Sequence, residues 1–346
     1  MINFLNDYSE GCFPEIIERL SEINYRKTIG YGTDEFCAAA AEKIKKACGC
    51  EEAQVYFMAG GTQTNQMVAD VLLDSFDGVV AVESGHVNTH EAGAIEYTGH
   101  KVLTLKGHDG KVDAEELDRY VTDYYNDGSY EHMVRPGMVY ISHPTEVGTL
   151  YTRHELEELN RVCRKYNMPL YLDGARLAYG LTAEGTDVTL EDIARLTDVF
   201  YIGGTKCGTL FGEAIVWTKG NQPFRFNTKV KQHGAMLAKG WLAGEQFDVI
   251  FTPDEKGDTL YTKGGKNANK LADKLKDALA SKGYRMYNSS PTNQVFVIVD
   301  NETMKKLSEK AVVGFFEKFD DEHTVIRFVT SWASAESDID ELINVL

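Results

Sequence analysis

The chain has 346 residues, 43% of them hydrophobic and 26% charged, with a formal net charge of −17. That length suits one large domain carrying a smaller one. The negative charge argues against nonspecific binding to nucleic acid or anionic lipid, so any site for an anion must be built locally. No run is long and apolar enough for a membrane span, and the N-terminus has no charged-then-apolar leader pattern. Six scattered cysteines with no Cys-x-x-Cys pair suggest no disulfide framework and point to a reducing cytoplasm.

Short apolar runs recur along the chain, and the pattern predicts strands at residues 54–58, 79–83, 101–105, 138–142, 170–173, 199–202 and 214–218. Segments 62–74, 113–125 and 153–166 between them place apolar residues at helical spacing. This alternation predicts an α/β fold with a mainly parallel seven-stranded sheet flanked by helices. A helix over 228–247 is the expected connector. Beyond it, a helix over 263–282 and strands at 294–299 and 325–330 suggest a smaller C-terminal α+β domain. The predicted boundaries are 1–240 for the large domain, including the N-terminal segment, and 241–346 for the small one.

Several turns carry candidate chemistry. Gly60-Gly61-Thr62-Gln63-Thr64-Asn65 follows the first predicted strand and opens a helix. Such a turn can cradle a phosphate with backbone N–H groups, or it can be a plain turn with a threonine N-cap. His86 and His90 are spaced to share a helix face, but no third ligand is evident, and no metal is expected. An imidazole facing a cofactor ring, with Glu91 capping or orienting the helix start, is the preferred reading there. His132 stands just before the fourth predicted strand, either as a solvated loop residue or as a proton-transfer group.

Two predicted strands then end in an acid and in a lysine turn. The first runs Leu170-Tyr171-Leu172-Asp173-Gly174-Ala175-Arg176, and the second Phe200-Tyr201-Ile202-Gly203-Gly204-Thr205-Lys206. A pyridoxal-phosphate enzyme needs a lysine for the Schiff base and a carboxylate at the pyridine nitrogen. A surface lysine and a capping acid would read the same way. Arg176 and Arg327 suit bidentate capture of a carboxylate; Arg327, in an otherwise apolar strand, suits a structural ion pair equally well.

Taken together the motifs resemble the low-specificity L-threonine aldolases, in the β-eliminating-lyase group of fold-type-I pyridoxal-phosphate enzymes. The resemblance spans almost the whole chain. It runs from Asn6-Asp7-Tyr8 and Tyr31-Gly32-Thr33-Asp34 through the Gly-Gly-Thr turn, His86 to Glu91 and Asp173 to Arg176. It then includes Thr205-Lys206, Lys231-Gln232 and Arg327 to Trp332. It implies pyridoxal 5′-phosphate as cofactor, with Lys206 as Schiff-base lysine and Asp173 at the pyridine nitrogen. It implies His86 stacked on the ring, with Gly61, Thr62, Thr205 and Arg176 completing the cofactor contacts. Arg176 with Arg327 would hold the substrate carboxylate, Asn6, Tyr31 and His90 would border the substrate, and His132 would approach the β-hydroxyl. Lys231 would reach the phosphate across a subunit interface in a homodimer or homotetramer with shared sites. Three departures bear on the substrate. Asn6 replaces a common serine, His90 a common aromatic residue, and Cys207 a usual glycine.

The implied reaction cleaves the Cα–Cβ bond of threonine-type or allo-threonine-type β-hydroxy-α-amino acids, giving glycine and an aldehyde. His86 and His132 are the candidate bases. The alternatives are β-elimination to pyruvate and ammonia, and a non-catalytic binding protein on the same scaffold.

Overall fold

The computed structural model describes residues 2–346. The chain begins on β1 (Ile2–Phe4) and continues through β2 (Gln54–Met58), β3 (Asp77–Val82), β4 (Lys101–Leu105), β5 (Arg135–Ser142), β6 (Leu170–Asp173), β7 (Val199–Gly203) and β8 (Glu213–Trp217). It ends with β9 (Arg285–Met286), β10 (Gln294–Asp300), β11 (Ala311–Lys318) and β12 (His323–Val329). Seven of these strands form one sheet in the order β2-β8-β7-β6-β5-β3-β4. Only β8 runs antiparallel to its neighbours. The expected sheet is therefore present.

Its inner strands β3, β6, β7 and β8 are buried along their length because both faces are covered, whereas the edge strands β2 and β4 are partly exposed. Side chains alternate between two cores. Val80, Val82, Val139, Ile141, Leu170, Leu172, Phe200 and Ile202 enter one. Val79, Ala81, Met138, Tyr140, Tyr171, Val199 and Tyr201 enter the other. Flanking helices start where the sequence supplies caps. Asp113 accepts from the Glu116 N–H at 2.9 Å, and Thr152 and Glu155 form a reciprocal capping box ahead of the helix Arg153–Lys165.

The remaining five strands form a second sheet, β1-β11-β12-β10-β9. Here two expectations change. The N-terminal strand β1 pairs parallel with β11, so it belongs to the smaller sheet rather than with the central one. The expected helix over 228–247 is two helices, Phe226–Gln232 and Trp241–Ile250. Gly234 between them adopts φ +68°, a left-handed conformation that ends the first helix. Among the described residues no helix is long and apolar enough to cross a membrane.

Candidate active site

In an open parallel sheet, ligands bind beyond the carboxyl ends of the strands. Such a cleft, about 350 Å³, lies here among the ends of β2, β5, β6 and β7 and the turn after β3. That is within the usual range for a cofactor site, roughly 300–1,000 Å³. It is lined by Gly61, Thr62, His86, Asp173, Arg176, Thr205 and Lys206, so seven of the expected site residues meet in one place.

Strand register explains the surroundings of Asp173. Pairing sets Ser142 beside Asp173 and Tyr140 beside Tyr171. The two-residue alternation along strands puts Tyr140, Tyr171 and Tyr201 on the face that Asp173 shares. Tyr201 donates to Asp173 Oδ1 at 2.5 Å and Tyr140 donates to Oδ2 at 2.8 Å. The Ala175 N–H and the Asn65 amide donate at 2.9 and 3.0 Å. Burial alone would raise the Asp173 pKa. The nearby His86 and these donors outweigh burial and hold the carboxyl below its ordinary value.

Glu91 sits behind the histidine. Its Oε1 accepts from His86 Nδ1 at 2.8 Å and from Asn65 at 2.7 Å. That bond places a proton on Nδ1 and orients the imidazole, so Glu91 aligns the ring rather than capping the helix. Lys206 is half-buried and makes no ion pair among the described residues. Burial, then the charge of Arg176, lowers its pKa, which favours the free amine. Nearby, burial pushes the Glu213 carboxyl up to about 8. Cys207 is buried, and its thiol is pushed up to about 12 by burial, consistent with a space-filling residue.

The helix Gly61–Leu72 opens on the cleft with Gly60 at its N-cap and no capping side chain. Threonine is therefore not the cap. The first N–H groups are left for an anion, which suits a phosphate. A Cβ on Gly61 would lie 3.0 Å from the Tyr201 hydroxyl, so the turn fits glycine there. An amine, a buried carboxylate, an oriented imidazole and an uncapped helix start are the donor set that pyridoxal phosphate requires, and the residues fit it.

The two arginines differ. Arg176 Nε and Nη2 donate to the two oxygens of Asp7 at 2.7 and 3.0 Å. The fork expected for a substrate carboxylate is thus occupied by a carboxylate of the chain itself. Arg327 donates from Nη1 to Gln294 at 3.0 Å, and its Nε is buried without a partner among the described residues. It makes no ion pair there. Its pKa is lowered by burial and then by Arg176.

Other expected residues lie at or beyond the rim. Asn6 bonds the Tyr8 N–H and Ser9, while Tyr8 itself lines the cleft. His90 stacks on His86 at 5.8 Å, and its pKa is lowered by burial and then by the charges of His86 and Arg327. Lys231 and Tyr31 are together, 4.8 Å from cation to ring centroid, in a region separate from the cleft.

His132 is not brought to the site. It ends the single turn Tyr130–His132 ahead of β5, and the cleft is at the other end of that strand, about 25 Å along it. The sequence reading gave no task to Ser142, Glu146, Glu213 or the three tyrosines. The tyrosines looked like strand core, and no local motif marks the others.

Known proteins resemble this chain along almost its whole length. A family model described as "Beta-eliminating lyase" matches residues 3–302. The low specificity L-threonine aldolase of a Pseudomonas species is 28% identical over 98% of this chain and 95% of its own length. That of Pseudomonas aeruginosa is 26% identical over 95% and 92%. A solved structure of Leishmania major threonine aldolase superposes with TM-score 0.94 at 40% identity, covering 100% of this chain and 98% of that one. The Thermus thermophilus aspartate aminotransferase shares the fold, with TM-score 0.71 at 16% identity, covering 100% of this chain and 90% of that one. The chain therefore belongs to the β-eliminating lyase family.

Proposed function

We propose that this chain cleaves the Cα–Cβ bond of L-threonine-type and L-allo-threonine-type β-hydroxy-α-amino acids, yielding glycine and an aldehyde, with pyridoxal 5′-phosphate as cofactor. The observation that carries the reading is the cleft itself. Lys206 and Asp173 share it, and Arg327, which makes no ion pair among the described residues, lies near enough to His90 for its charge to lower the pKa of that histidine. The relatives named as threonine aldolases support the same assignment.

Lys206 would hold the cofactor through its amine, and Gly61, Thr62 and Thr205 its phosphate. When bound, the cofactor supplies an electron sink for the pair released as the carbon–carbon bond breaks. Asp173, kept ionised by its four donors, holds a proton at the ring nitrogen. His86, fixed by Glu91, would lie against the bound cofactor. Arg327 is the principal cation for the substrate carboxylate, since a buried guanidinium without an anion is costly. Arg176 acts beside it and keeps Nη1 for that purpose. The carboxylate clamp would set the orientation of the Cα–Cβ bond for cleavage. Asn6, Tyr31 and His90 border the substrate side.

Tyr31 and Lys231 support a homo-oligomer, dimer or tetramer, in which a neighbouring chain brings these residues to the cleft. A cytoplasmic location belongs to the same reading. The experiment is product analysis of the purified protein loaded with cofactor and given threonine or allo-threonine. Glycine and acetaldehyde are expected. A 2-oxo acid with ammonia would replace the reading with β-elimination.

A further inference from the structure

Two carboxyl groups line the cleft without a task in the reaction, Glu146 and Glu213. Glu213 turns to the backbone, where its Oε2 accepts from the Gly204 N–H at 3.0 Å. Glu146 is placed differently. Its Oε1 accepts from the His86 N–H at 2.9 Å and from the Ser142 hydroxyl at 2.6 Å. Its Oε2 is shielded from solvent and has no partner among the described residues.

We propose that Glu146 is the catalytic base that takes the β-hydroxyl proton, the task that the sequence assigned to His86 or His132. The inference rests on the aldol-cleavage reading. Alternatives within the cleft are already engaged. Asp173 holds four donors. Glu91 also has an unpartnered Oε2, but its side chain has no exposed surface and its Oε1 is held by His86 and Asn65, so it is enclosed behind the imidazole. His86 has Nδ1 committed to Glu91. His132 is at the far end of β5. Two donors on Oε1 make that oxygen the acceptor, so the proton that Glu146 takes up belongs on Oε2. The missing partner of Oε2 is what a substrate hydroxyl supplies.

The step balances. Glu146 Oε2 gains the hydroxyl proton, and the O–H pair becomes the second carbon–oxygen bond of the aldehyde. The Cα–Cβ pair stays with Cα. A proton that originates in solvent is delivered to Cα and completes glycine, and Glu146 returns the hydroxyl proton to solvent before the next turnover, so none is gained or lost.

The surroundings set the pH response. Glu146 is faced by Asp173 from β6, Tyr140 from β5, Tyr151 from the segment after it, and His86 from the turn after β3. Burial raises the carboxyl above its ordinary value of 4.5. Ser142 and the backbone donors oppose this, and Asp173 adds to it. A base must be ionised, so cleavage falls on the acid side, at a pH above that of an ordinary carboxyl.

Glu146→Gln keeps the shape and removes the base. Cofactor absorbance should persist. Exchange of the glycine α-proton in deuterated water, which needs no β-hydroxyl base, should stay within about threefold of wild type, while threonine cleavage falls about 10²-fold or more. The wild-type acid limb should vanish from the residual activity. Ser142→Ala removes a donor that stabilises the carboxylate and should move the acid limb to higher pH. Cleavage by Glu146→Gln within about fivefold of wild type would overturn the proposal, because general-base catalysis is worth more than that. So would an equal fall in cleavage and glycine exchange, which marks a structural role, or an unmoved acid limb in Ser142→Ala. Wild-type protein that gives ammonia and no aldehyde would remove the aldol reading itself, and this inference with it.

Discussion

Replacing Asp7 by asparagine tests whether one buried ion pair ties the two sheets together at the mouth of the cleft. Asp7 is 0% exposed. Besides both oxygens on Arg176, it accepts from the Asn293 amide at 2.9 Å. The N-terminal segment, the turn after β6 and the residue before β10 thus meet on one carboxylate. Arg176 Nε and Nη2 would lose their charged partner in Asp7→Asn, while the guanidinium stayed in place with its side chain only 13% exposed. Leaving one member of a buried pair uncompensated costs about 3–5 kcal/mol. In a chain of this length that is a fall of about 4–7 °C in the unfolding midpoint.

The effect has a pH signature. Burial would raise the Asp7 pKa, but Arg176, Lys206 and the hydrogen bonds win, and the folded-state value lies below 3.8. A depressed carboxyl contributes stability that is present above its unfolded value and lost as pH falls through its folded value. The gap between wild type and Asp7→Asn should therefore be full near neutral pH and begin to close as pH drops below about 4. Scanning calorimetry at pH 7 and at stepped lower pH measures both. A midpoint lowered by less than about 1 °C at pH 7 would refute the argument, because it would mean that Arg176 is solvated well enough to need no partner.

Arg327→Lys should raise the KM for threonine about 10–100-fold while leaving the cofactor spectrum intact, since a charge-assisted bond is worth about 1.5–3 kcal/mol; an unchanged KM would return Arg327 to a structural role. Borohydride reduction of the loaded protein should fix the cofactor on the peptide that contains Lys206, and Lys206→Ala should abolish turnover. Labelling of another lysine would refute that assignment. Mixing Lys206→Ala with Lys231→Glu after dissociation should restore part of the activity if sites are shared between chains, whereas a fully active monomer by light scattering would leave Lys231 as an ordinary surface residue.

The sequence by itself determined the central sheet and located two of the residues that line the cleft, Asp173 and Lys206. A strand buried on both faces, such as β6, reads as a short apolar run, and the edge strands β2 and β4 keep enough apolar residues that all three could be read to the residue from 170–173, 54–58 and 101–105. Asp173 and Lys206 could be found because each closely follows such a run. The helix break at Gly234 and the strand β11 were missed. Gly234 looks like any helix glycine until its φ is known, and β11 is only partly buried and is interrupted by Gly314, Glu317 and Lys318, so it presents no continuous apolar run. Only the tertiary structure decided which end of β5 carries the cleft, excluding His132 and admitting Glu146. It also decided that Asp7 occupies Arg176, while Arg327 makes no ion pair among the described residues. Burial periodicity is local and is written residue by residue. The partner of a charge is chosen by register and domain packing between segments far apart in the chain, and no window of sequence contains both.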